Sequence, residues 1–287
     1  MGEIVYLNGA FLPRQEAKIP VMDYGFLFGY GLFETMRAYA GRVFRLDSHL
    51  ARLAVSAATL GIPVDTSILK NAIVDTVAKN GLKEARVRTT VSAGEGGPVP
   101  DTRTCTCPTT LVVATRYAPY PRKIYERGFR VIISSTRRNS RSPVPAMKTT
   151  GYLENLLSRQ EARVAAADDA LLLNDRGKLA EASTSNVFLV KGNTLKTPRT
   201  ENGILPGITR DVILELALQI GITTLEADIL PDELLSANEA FLTSSLMEVM
   251  PLTGISGKAI GSGKPGAVTG KLAAAYKDLV LKETTTA

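Results

Sequence analysis

The sequence predicts a mixed α/β protein of two domains, and three observations carry this prediction. The chain has 287 residues, near the length at which a single hydrophobic core stops growing. Strand-like apolar runs and segments of helical periodicity are interspersed in both halves. Between the halves, "YAPYPRK" has two prolines and no periodicity. We therefore expect an N-terminal α/β domain over residues 1–117, a linker over 118–123 and a second domain over 124–287.

The first domain is predicted to begin with strands and continue with two helices. "EIVYLNGAFLP" and "GLFETMRAYAGRVFRL" have strand character, with a turn at 39–42. "LDSHLARLAVSAATLGI" predicts a helix capped by Asp47 or Ser48 and ended by Gly61. A second helix is expected at about 66–80. "ARVRTTVSAG" and "TTLVVATRYA" then predict two strands separated by a loop rich in glycine and proline.

The second domain is predicted to open with the buried strand "FRVIISS", followed by a proline-containing segment and an amphipathic helix. A run of strands over 169–198 has turns at 174–177 and 191–193. "ILPGITRDVILELALQIGI" predicts a loop that leads into a helix. One face of this helix is expected to carry Val212, Ile213, Leu216 and Ile220. A strand, a polar loop, another strand and a closing helix complete the domain.

Composition and charge exclude several classes of protein. Hydrophobic residues make up 45% of the chain and charged residues 22%, as in ordinary globular proteins. The chain has no apolar run of the roughly 20 residues that span a bilayer, and its N-terminus lacks the pattern of a secretion signal. We therefore expect a cytoplasmic protein that binds no membrane. The net charge of +6 comes from scattered residues without a nucleic-acid-binding motif, which favours small anionic substrates over nucleic acid.

Cysteine and histidine are too few for a metal centre. Cys105 and Cys107 are the only cysteines, and His49 is the only histidine. A tetrahedral zinc site would therefore need carboxylate ligands as well. We expect no metal site, and we expect the two cysteines to be neighbours on one face of a strand. His49 is expected to be structural, on the helix that carries Arg52.

Three residues of the second half are candidates for cofactor chemistry. Lys148 follows Pro145 and precedes the amphipathic helix, where a desolvated amine could form a Schiff base. Tyr152 comes four residues later, one turn away if the helix has begun, and could bond an oxygen of the same cofactor. Glu181 lies in a strand-like run followed by small residues. If it is buried, its carboxylate needs a cation or a protonated ring nitrogen as a partner. Each residue taken alone also has an ordinary structural explanation.

Two segments have the character of an anion-binding site. Gly207 precedes Ile208 and Thr209 at the start of the predicted helix, where free backbone N–H groups and a hydroxyl can meet an anion. The second segment, "LTSSLMEV", places three hydroxyls after a strand. Together with the lysine and the glutamate, the two segments indicate a phosphate-binding cup.

In their order along the chain, these pieces resemble the class IV pyridoxal-phosphate enzymes of fold type IV. That family comprises branched-chain aminotransferases, D-amino-acid aminotransferases and aminodeoxychorismate lyases. The matching segments run from "DYGFLFGYGLFETMRAYAGRVFRLDSHLARL" through "AMKTTGYLENLLSRQEA", "LAEASTSNVFLV" and "ENGILPGITRDVI" to "FLTSSLMEV". The resemblance implies a small N-terminal α/β domain and a larger, barrel-like C-terminal α/β domain with pyridoxal 5'-phosphate between them. It also implies a homodimer.

The resemblance assigns roles to individual residues. Lys148 matches the Schiff-base lysine that also moves the proton, and Glu181 matches the carboxylate that keeps the pyridine nitrogen protonated. Tyr152 matches the partner of the phenolic oxygen, and Arg52 matches the arginine that binds the phosphate. The expected cofactor-binding set is Arg52, Lys148, Tyr152, Glu181, Leu205, Gly207, Ile208, Thr209, Ser244 and Ser245. The expected substrate-binding set is Phe28, Arg37, Arg88 and Leu246.

The substrate remains open between members of the family. "FETMRAY" resembles "FE-x-x-R-x-Y" of the branched-chain enzymes, which favours transamination of branched-chain or broad L-amino acids with 2-oxoglutarate. Arg86 stands where those enzymes have an aromatic residue, which adds charge to the pocket. The loop that in D-amino-acid enzymes carries Arg-x-His has no histidine here, although Arg103 could bind a carboxylate. Threonine after the Phe-Glu pair is typical of the lyases. A D-selective transaminase, an aminodeoxychorismate lyase and a basic binding protein are the alternatives.

Overall fold

The computed structural model describes residues 2–285, which form two compact units. The first unit consists of the described residues up to Ala118, the segment Met147–Tyr152 and the C-terminal residues from Val280 onward. The second unit consists of Pro119–Ala146 and Leu153–Leu279. The predicted mixed α/β class is confirmed. The division at 118–123 stays a prediction. The two units differ from it in assigning Met147–Tyr152 and the residues from Val280 onward to the first.

The first unit is built on a six-stranded sheet with the strand order β2-β1-β6-β5-β3-β4. Every pairing in this sheet is antiparallel. Its elements are β1 (Ile4–Leu7), β2 (Ala10–Pro13), α1 (Tyr24–Leu27), β3 (Gly31–Tyr39), β4 (Arg42–Val43), α2 (Leu46–Leu60), α3 (Thr66–Lys79), β5 (Ala85–Ser92) and β6 (Thr109–Arg116).

Strand β3 alternates between the two faces of this sheet. Leu32, Met36 and Ala38 are buried in the core, which also takes Leu50 and Leu53 of α2. The two residues of the turn between β3 and β4 have φ of 50° and 85°. Such left-handed values suit the two-residue hairpins that match strand twist, as the sequence predicted.

Helix α2 ends as predicted but begins differently. Gly61 has a φ of 67° and lies directly after the helix, where a left-handed residue closes the last turn. The cap proposed at Asp47 or Ser48 is wrong, because the helix already begins at Leu46 after a left-handed Arg45. Asp47 instead lies in the first turn, where its negative charge suits the helix dipole.

The second unit contains a nine-stranded sheet whose main path is β12-β11-β10-β13-β14-β7-β8-β9, with β15 paired to β14. The pairings β11–β12, β14–β7 and β7–β8 are parallel, and the others are antiparallel. Its elements are α4 (Arg122–Arg127), β7 (Phe129–Arg138), α5 (Leu153–Val164), β8 (Asp169–Asn174), β9 (Leu179–Ala182), β10 (Asn186–Lys191), β11 (Thr194–Pro198), α6 (Ile208–Gln219), β12 (Thr223–Ala227), α7 (Pro231–Leu235), β13 (Glu239–Ser244), β14 (Glu248–Ile255), β15 (Lys258–Ala259) and α8 (Ala267–Thr285).

Burial in the second unit follows its sheet. All six residues of β8 are buried, as expected for a strand with a parallel neighbour and covered faces. Helix α6 buries Val212, Ile213 and Leu216 as predicted. Ile220 does not join that face, because the helix ends at Gln219 and the isoleucine side chain is exposed.

The two cysteines do not lie on a strand. Cys105 follows a short 3-10 turn at Thr102–Thr104, and Cys107 is exposed in the loop before β6. The expectation of strand neighbours is therefore wrong, because a turn capped by Asp101 precedes them. Within the described residues, every helix is too short or too polar to cross a membrane.

Candidate active site

The segment that carries Lys148 lies alongside strand β3. The backbone N–H of Phe33 donates to the Lys148 carbonyl at 2.8 Å, and the N–H of Thr150 donates to the Gly31 carbonyl at 2.8 Å. Helix α5 begins only at Leu153. Lys148 therefore precedes the helix, as the sequence indicates, with four residues between them. Its backbone is fixed by strand pairing, and Tyr152 precedes the helix.

Three candidate side chains gather around the ring of Phe33. The Lys148 ammonium lies 4.6 Å from the ring centroid, and the guanidinium carbon of Arg88 lies 3.8 Å from it. The Tyr152 ring contacts Phe33 edge-to-face at 5.3 Å. Two cations held at one aromatic ring attract an anion to the same place. Because β3 residues alternate, this face is the one opposite the core of Leu32 and Met36.

A second pair of arginines lies further along the same face. Arg37 of β3 is directly opposite Arg86 of β5, an arrangement in which like charges repel. Arg37 is buried and stacks on the rings of Tyr39 and Tyr117 at 4.3 and 4.9 Å. Burial, followed by the charge of Arg86, lowers the pKa of Arg88. Glu84, at 3.4 Å from Arg37, balances part of this charge. A further carboxylate bound on the face would relieve the remaining repulsion.

Arg52 on α2 is part of a buried polar cluster with Glu34 and His49. Arg52 donates from Nε and Nη2 to the two Glu34 oxygens at 2.8 and 2.6 Å. His49 Nδ1 lies 2.7 Å from Glu34 Oε2. Burial raises the pKa of Glu34, but the Arg52 charge and the His49 hydrogen bond outweigh it and hold the pKa at about 2. The position of His49 on the helix of Arg52 agrees with the structural role expected for it.

Burial also lowers the pKa of His49, with smaller contributions from the charges of Arg52 and Lys148. The imidazole is therefore neutral near pH 7 and donates from Nδ1 to the ionised Glu34. One carboxylate thus fixes both an arginine and a histidine.

In the second unit, Glu181 is buried on β9, and Arg138, Leu205 and Asn186 donate hydrogen bonds to it. Arg138 Nη2 lies 3.1 Å from Oε1. The Leu205 backbone N–H and the Asn186 side-chain amide donate to Oε2 at 3.1 and 3.3 Å. From the sequence, Glu181 could be either an exposed glutamate on a strand or a buried carboxylate with a cationic partner. The structure shows it buried, with Arg138 as a cationic partner.

Asn186 connects several candidates of this unit. Its side-chain amide donates to Glu181 and, at 2.9 Å, to the Leu205 carbonyl. A Cβ atom added at Gly207 would overlap the Asn186 amide oxygen. Across the sheet, Asn186 pairs with Thr243. Glu181, Leu205, Gly207 and the start of the hydroxyl loop are therefore brought together around one asparagine.

The remaining candidates of this unit lie at the ends of elements. Ile208 and Thr209 are buried in the first turn of α6, and Gly207 at the N-cap has no side chain that could cap it. The N–H groups of such a turn suit an anion. Ser244 ends β13, and Ser245 and Leu246 lie in the turn that follows.

Two further candidates of the first unit have contacts of their own. Phe28 follows α1, with an exposed ring packed edge-to-face on Tyr24. Arg103 is exposed and binds Asp101 at 2.6 Å, so a carboxylate of this chain is its partner.

The matches with known proteins cover nearly the whole chain. The family model described as "Amino-transferase class IV" matches residues 31–255. The chain belongs to the class IV aminotransferases. The relatives of this class IV aminotransferase include a Methanocaldococcus jannaschii protein provisionally named branched-chain-amino-acid aminotransferase, 38% identical over 97% of this chain and 96% of the relative. A D-alanine aminotransferase of Bacillus licheniformis is 33% identical over 98% of both chains.

A solved structure of similar fold carries a phosphopyridoxyl adduct of glutamate. The T.th. branched-chain amino acid aminotransferase, complexed with N-(5'-phosphopyridoxyl)-L-glutamate, has a TM-score of 0.92 and 30% identity. The match covers 98% of this chain and 95% of the other. The class IV aminotransferase described here is therefore a transaminase that uses pyridoxal 5'-phosphate.

The interpretation of the sequence missed three residues of this class IV aminotransferase, each of which contacts a candidate. Glu34 could have been found because it interrupts the apolar face formed by Leu32 and Met36 of β3. Asn186 and Arg138 gave no such signal. Asn186 begins a buried strand, and Arg138 is the second of two consecutive arginines.

Proposed function

We propose that this class IV aminotransferase moves amino groups between branched-chain or other L-amino acids and 2-oxoglutarate. The observation that carries the proposal is the Phe33 cluster, in which Lys148 and Arg88 lie at one ring. An amine that reacts at a substrate carbon needs the substrate carboxylate held nearby. Arg88, with Arg37 further along the same face, supplies charges of the right sign.

The residues of the chain fit pyridoxal 5'-phosphate. Glu181 is an acid buried with hydrogen-bonded oxygens, which suits a cationic ring nitrogen. The buried Thr243 hydroxyl has no hydrogen-bond partner among the described residues, and such a group needs one. The first turn of α6 offers N–H groups to a phosphate. When bound, the cofactor supplies an electron sink for the substrate's α-carbon.

The roles of the chain's own residues follow from their chemistry. Lys148 is proposed to bond the cofactor and to take and return the α-proton, with its backbone held by β3. Tyr152 is proposed to donate to the cofactor's phenolic oxygen. Glu181 is proposed to keep a proton on the ring nitrogen. Arg52 is proposed to bind the phosphate, and Glu34 holds its guanidinium through Nε and Nη2.

The remaining roles belong to backbone and small side chains. Leu205 is proposed to pack on the ring face. Ile208 and Thr209, with Gly207 before them and the two serines of the hydroxyl loop, are proposed to bind the phosphate. Phe28 and Leu246 are proposed to contact the substrate side chain.

A half-reaction assay tests the proposal. Protein loaded with pyridoxal 5'-phosphate is mixed with single L- and D-amino acids, and the visible absorbance band of the bound cofactor is followed. We expect the band to disappear with L-leucine, L-valine and L-glutamate and to return with 2-oxoglutarate. Conversion of D-amino acids alone would favour the D-selective alternative. Release of pyruvate from aminodeoxychorismate would favour the lyase.

Lys148→Ala should lose both the band and the half-reaction. Lys79→Ala is the matched control, because Lys79 also lies over a phenylalanine ring, 4.8 Å from Phe11. Retention of the wild-type band by Lys148→Ala would overturn the role given to that lysine.

We also propose that the protein is a homodimer in the cytoplasm. Helix α5 buries Asn155, Ser158 and Ala162 and leaves Leu153 and Leu156 67% and 57% exposed. An apolar stripe on the outer side of a helix is typical of a surface covered by a partner. Leu156→Asp should therefore shift the mass in solution from dimer to monomer, whereas Leu218→Asp, on the exposed side of α6, should not. A monomeric wild type would refute the proposal.

A further inference from the structure

Arg138 at the end of β7 is a buried cation with two carboxylate partners. Its Nη2 lies 3.1 Å from Glu181 Oε1, and its Nη1 lies 3.0 Å from Glu154 Oε2 on α5. The Arg138 and Glu181 side chains are each 8% exposed, whereas that of Glu154 is 54% exposed. The guanidinium therefore spans the distance from a solvated carboxylate to a buried one, and both ends of its fork are held.

The placement of Arg138 bears on the proton affinity of Glu181. A carboxylate buried with neutral donors alone tends to take up a proton, because burial disfavours its charge. An arginine stays charged at any working pH and does not lose its proton to a neighbour. The buried Glu181 is thereby stabilised in its ionised form before any ligand arrives.

Arg138 also fixes the orientation of Glu181. It bonds only Oε1, while the Leu205 N–H and the Asn186 amide bond Oε2. Donors on both oxygens restrict the carboxylate to one rotamer. Glu154, as the second anchor, keeps the guanidinium from turning away.

We propose that Arg138 is a positioning residue that holds Glu181 ionised and oriented for the ring nitrogen of pyridoxal 5'-phosphate. This inference rests on the proposed roles of the cofactor-binding residues. Without Arg138, the buried Glu181 would keep the proton that it should leave on the ring nitrogen. The charge-assisted contact that stabilises the bound cofactor would then be lost.

The chain contains a matched control in the neighbouring residue. Arg137 is exposed, and its Nη1 donates to backbone carbonyls, the nearest being that of Ser134 at 2.6 Å. Arg137→Gln and Arg138→Gln change the same charge at adjacent positions of one strand. Only the second removes a partner of Glu181.

The first measurement uses the cofactor-free protein and needs no activity. Infrared spectra of Arg138→Gln and of the double variant Arg138→Gln/Glu181→Gln are recorded near neutral pH and subtracted. The difference spectrum is searched for the carbonyl band of a protonated carboxyl group. We expect the band in this difference. We expect no band in the corresponding difference on the Arg137→Gln background.

The second measurement is the dissociation constant of pyridoxal 5'-phosphate, with kcat and KM measured alongside it. Loss of a charged hydrogen bond predicts a rise of roughly 10- to 100-fold for Arg138→Gln, with a fall in kcat and little change in KM. Arg137→Gln should match the wild type. Arg138→Lys keeps the charge but cannot span both carboxylates, so it should leave Glu181 ionised and give an intermediate constant.

The outcomes separate the two proposals. If the wild type binds the cofactor and transaminates, but a folded Arg138→Gln matches Arg137→Gln in both measurements, the inference about Arg138 is wrong and the proposed function stands. If the wild type neither binds nor transaminates, the proposed function fails. If Arg138→Gln does not fold by circular dichroism, Arg138→Lys decides: a dissociation constant above that of Arg137→Gln supports the inference, and an equal one overturns it.

Discussion

The cluster of Glu34, Arg52 and His49 makes a quantitative prediction about stability. Glu34 is 1% exposed and accepts hydrogen bonds from Arg52 and from His49. Its pKa is held at about 2, compared with an ordinary value of 4.5. At 1.36 kcal/mol per pKa unit, this difference corresponds to about 3 kcal/mol of stability.

The sign of the pH dependence follows from the direction of the shift. Because the folded-state pKa lies below the unfolded one, the contribution is fully present above the unfolded pKa. It is lost as the pH falls from about 4.5 towards 2. A protonated Glu34 then leaves Arg52 facing a neutral group, much as the variant Glu34→Gln does at every pH.

The assay compares the wild type with Glu34→Gln by urea unfolding, followed by circular dichroism at several pH values. Near pH 7 the variant should be less stable by about 3 kcal/mol, within the range for breaking a buried ion pair. The difference should shrink towards zero as the pH approaches about 2. Glu84→Gln is the control, because Glu84 is 47% exposed and contacts Arg37 at 3.4 Å; it should cost less than about 1 kcal/mol.

Two results would refute this reasoning. One is a Glu34→Gln variant as stable as Glu84→Gln near neutral pH. The other is a stability difference that stays constant on acidification, which would mean that the loss comes from packing and not from the charge of Glu34.

Three further variants test other features. Gly207→Ala should weaken binding of pyridoxal 5'-phosphate and lower the thermal midpoint, because the added Cβ would overlap the Asn186 amide oxygen. Gly270→Ala in α8, where a Cβ meets open space, should instead raise the midpoint, since alanine stabilises a helix by roughly 0.5–1 kcal/mol over glycine; a lower midpoint would contradict this. Burial raises the pKa of Asp169 despite its hydrogen bond from Ser183, so its charge costs more stability as the pH rises. The thermal midpoint of Asp169→Asn minus that of the wild type, measured by calorimetry, should therefore be higher near neutral pH than at acid pH. An equal difference at both pH values would contradict the assignment.

Most of the secondary structure could be predicted because it depends on local patterns. The turn at 39–42, the end of α2 at Gly61 and the helix at Thr66–Lys79 follow from residues that lie next to one another. The start of α2 could not be predicted in this way. Asp47 and Ser48 are good caps by type, but the helix begins at Leu46, before both of them.

The candidate site likewise contains residues that the sequence predicted and partners that it did not. Lys148, Tyr152 and Glu181 were identified by residue type and order along the chain. Their partners were not, because Arg138 and Glu181 are 43 residues apart in sequence and no local pattern relates them. The segment of Lys148 likewise pairs with β3, which is more than a hundred residues away in sequence.

By itself, the sequence determined the mixed α/β class and most of the elements, and it indicated Lys148, Tyr152 and Glu181 as candidates for the site. Periodicity, turn residues and motif order are properties of neighbouring positions in the chain. Only the tertiary structure decided which charged side chains lie close together. It pairs Arg52 with Glu34 and Arg138 with Glu181, and it places Arg37 opposite the like-charged Arg86. The interaction energy of each pair depends on the burial of the two side chains and on the distance between them. Burial and distance are defined only once segments that are remote in sequence have packed together.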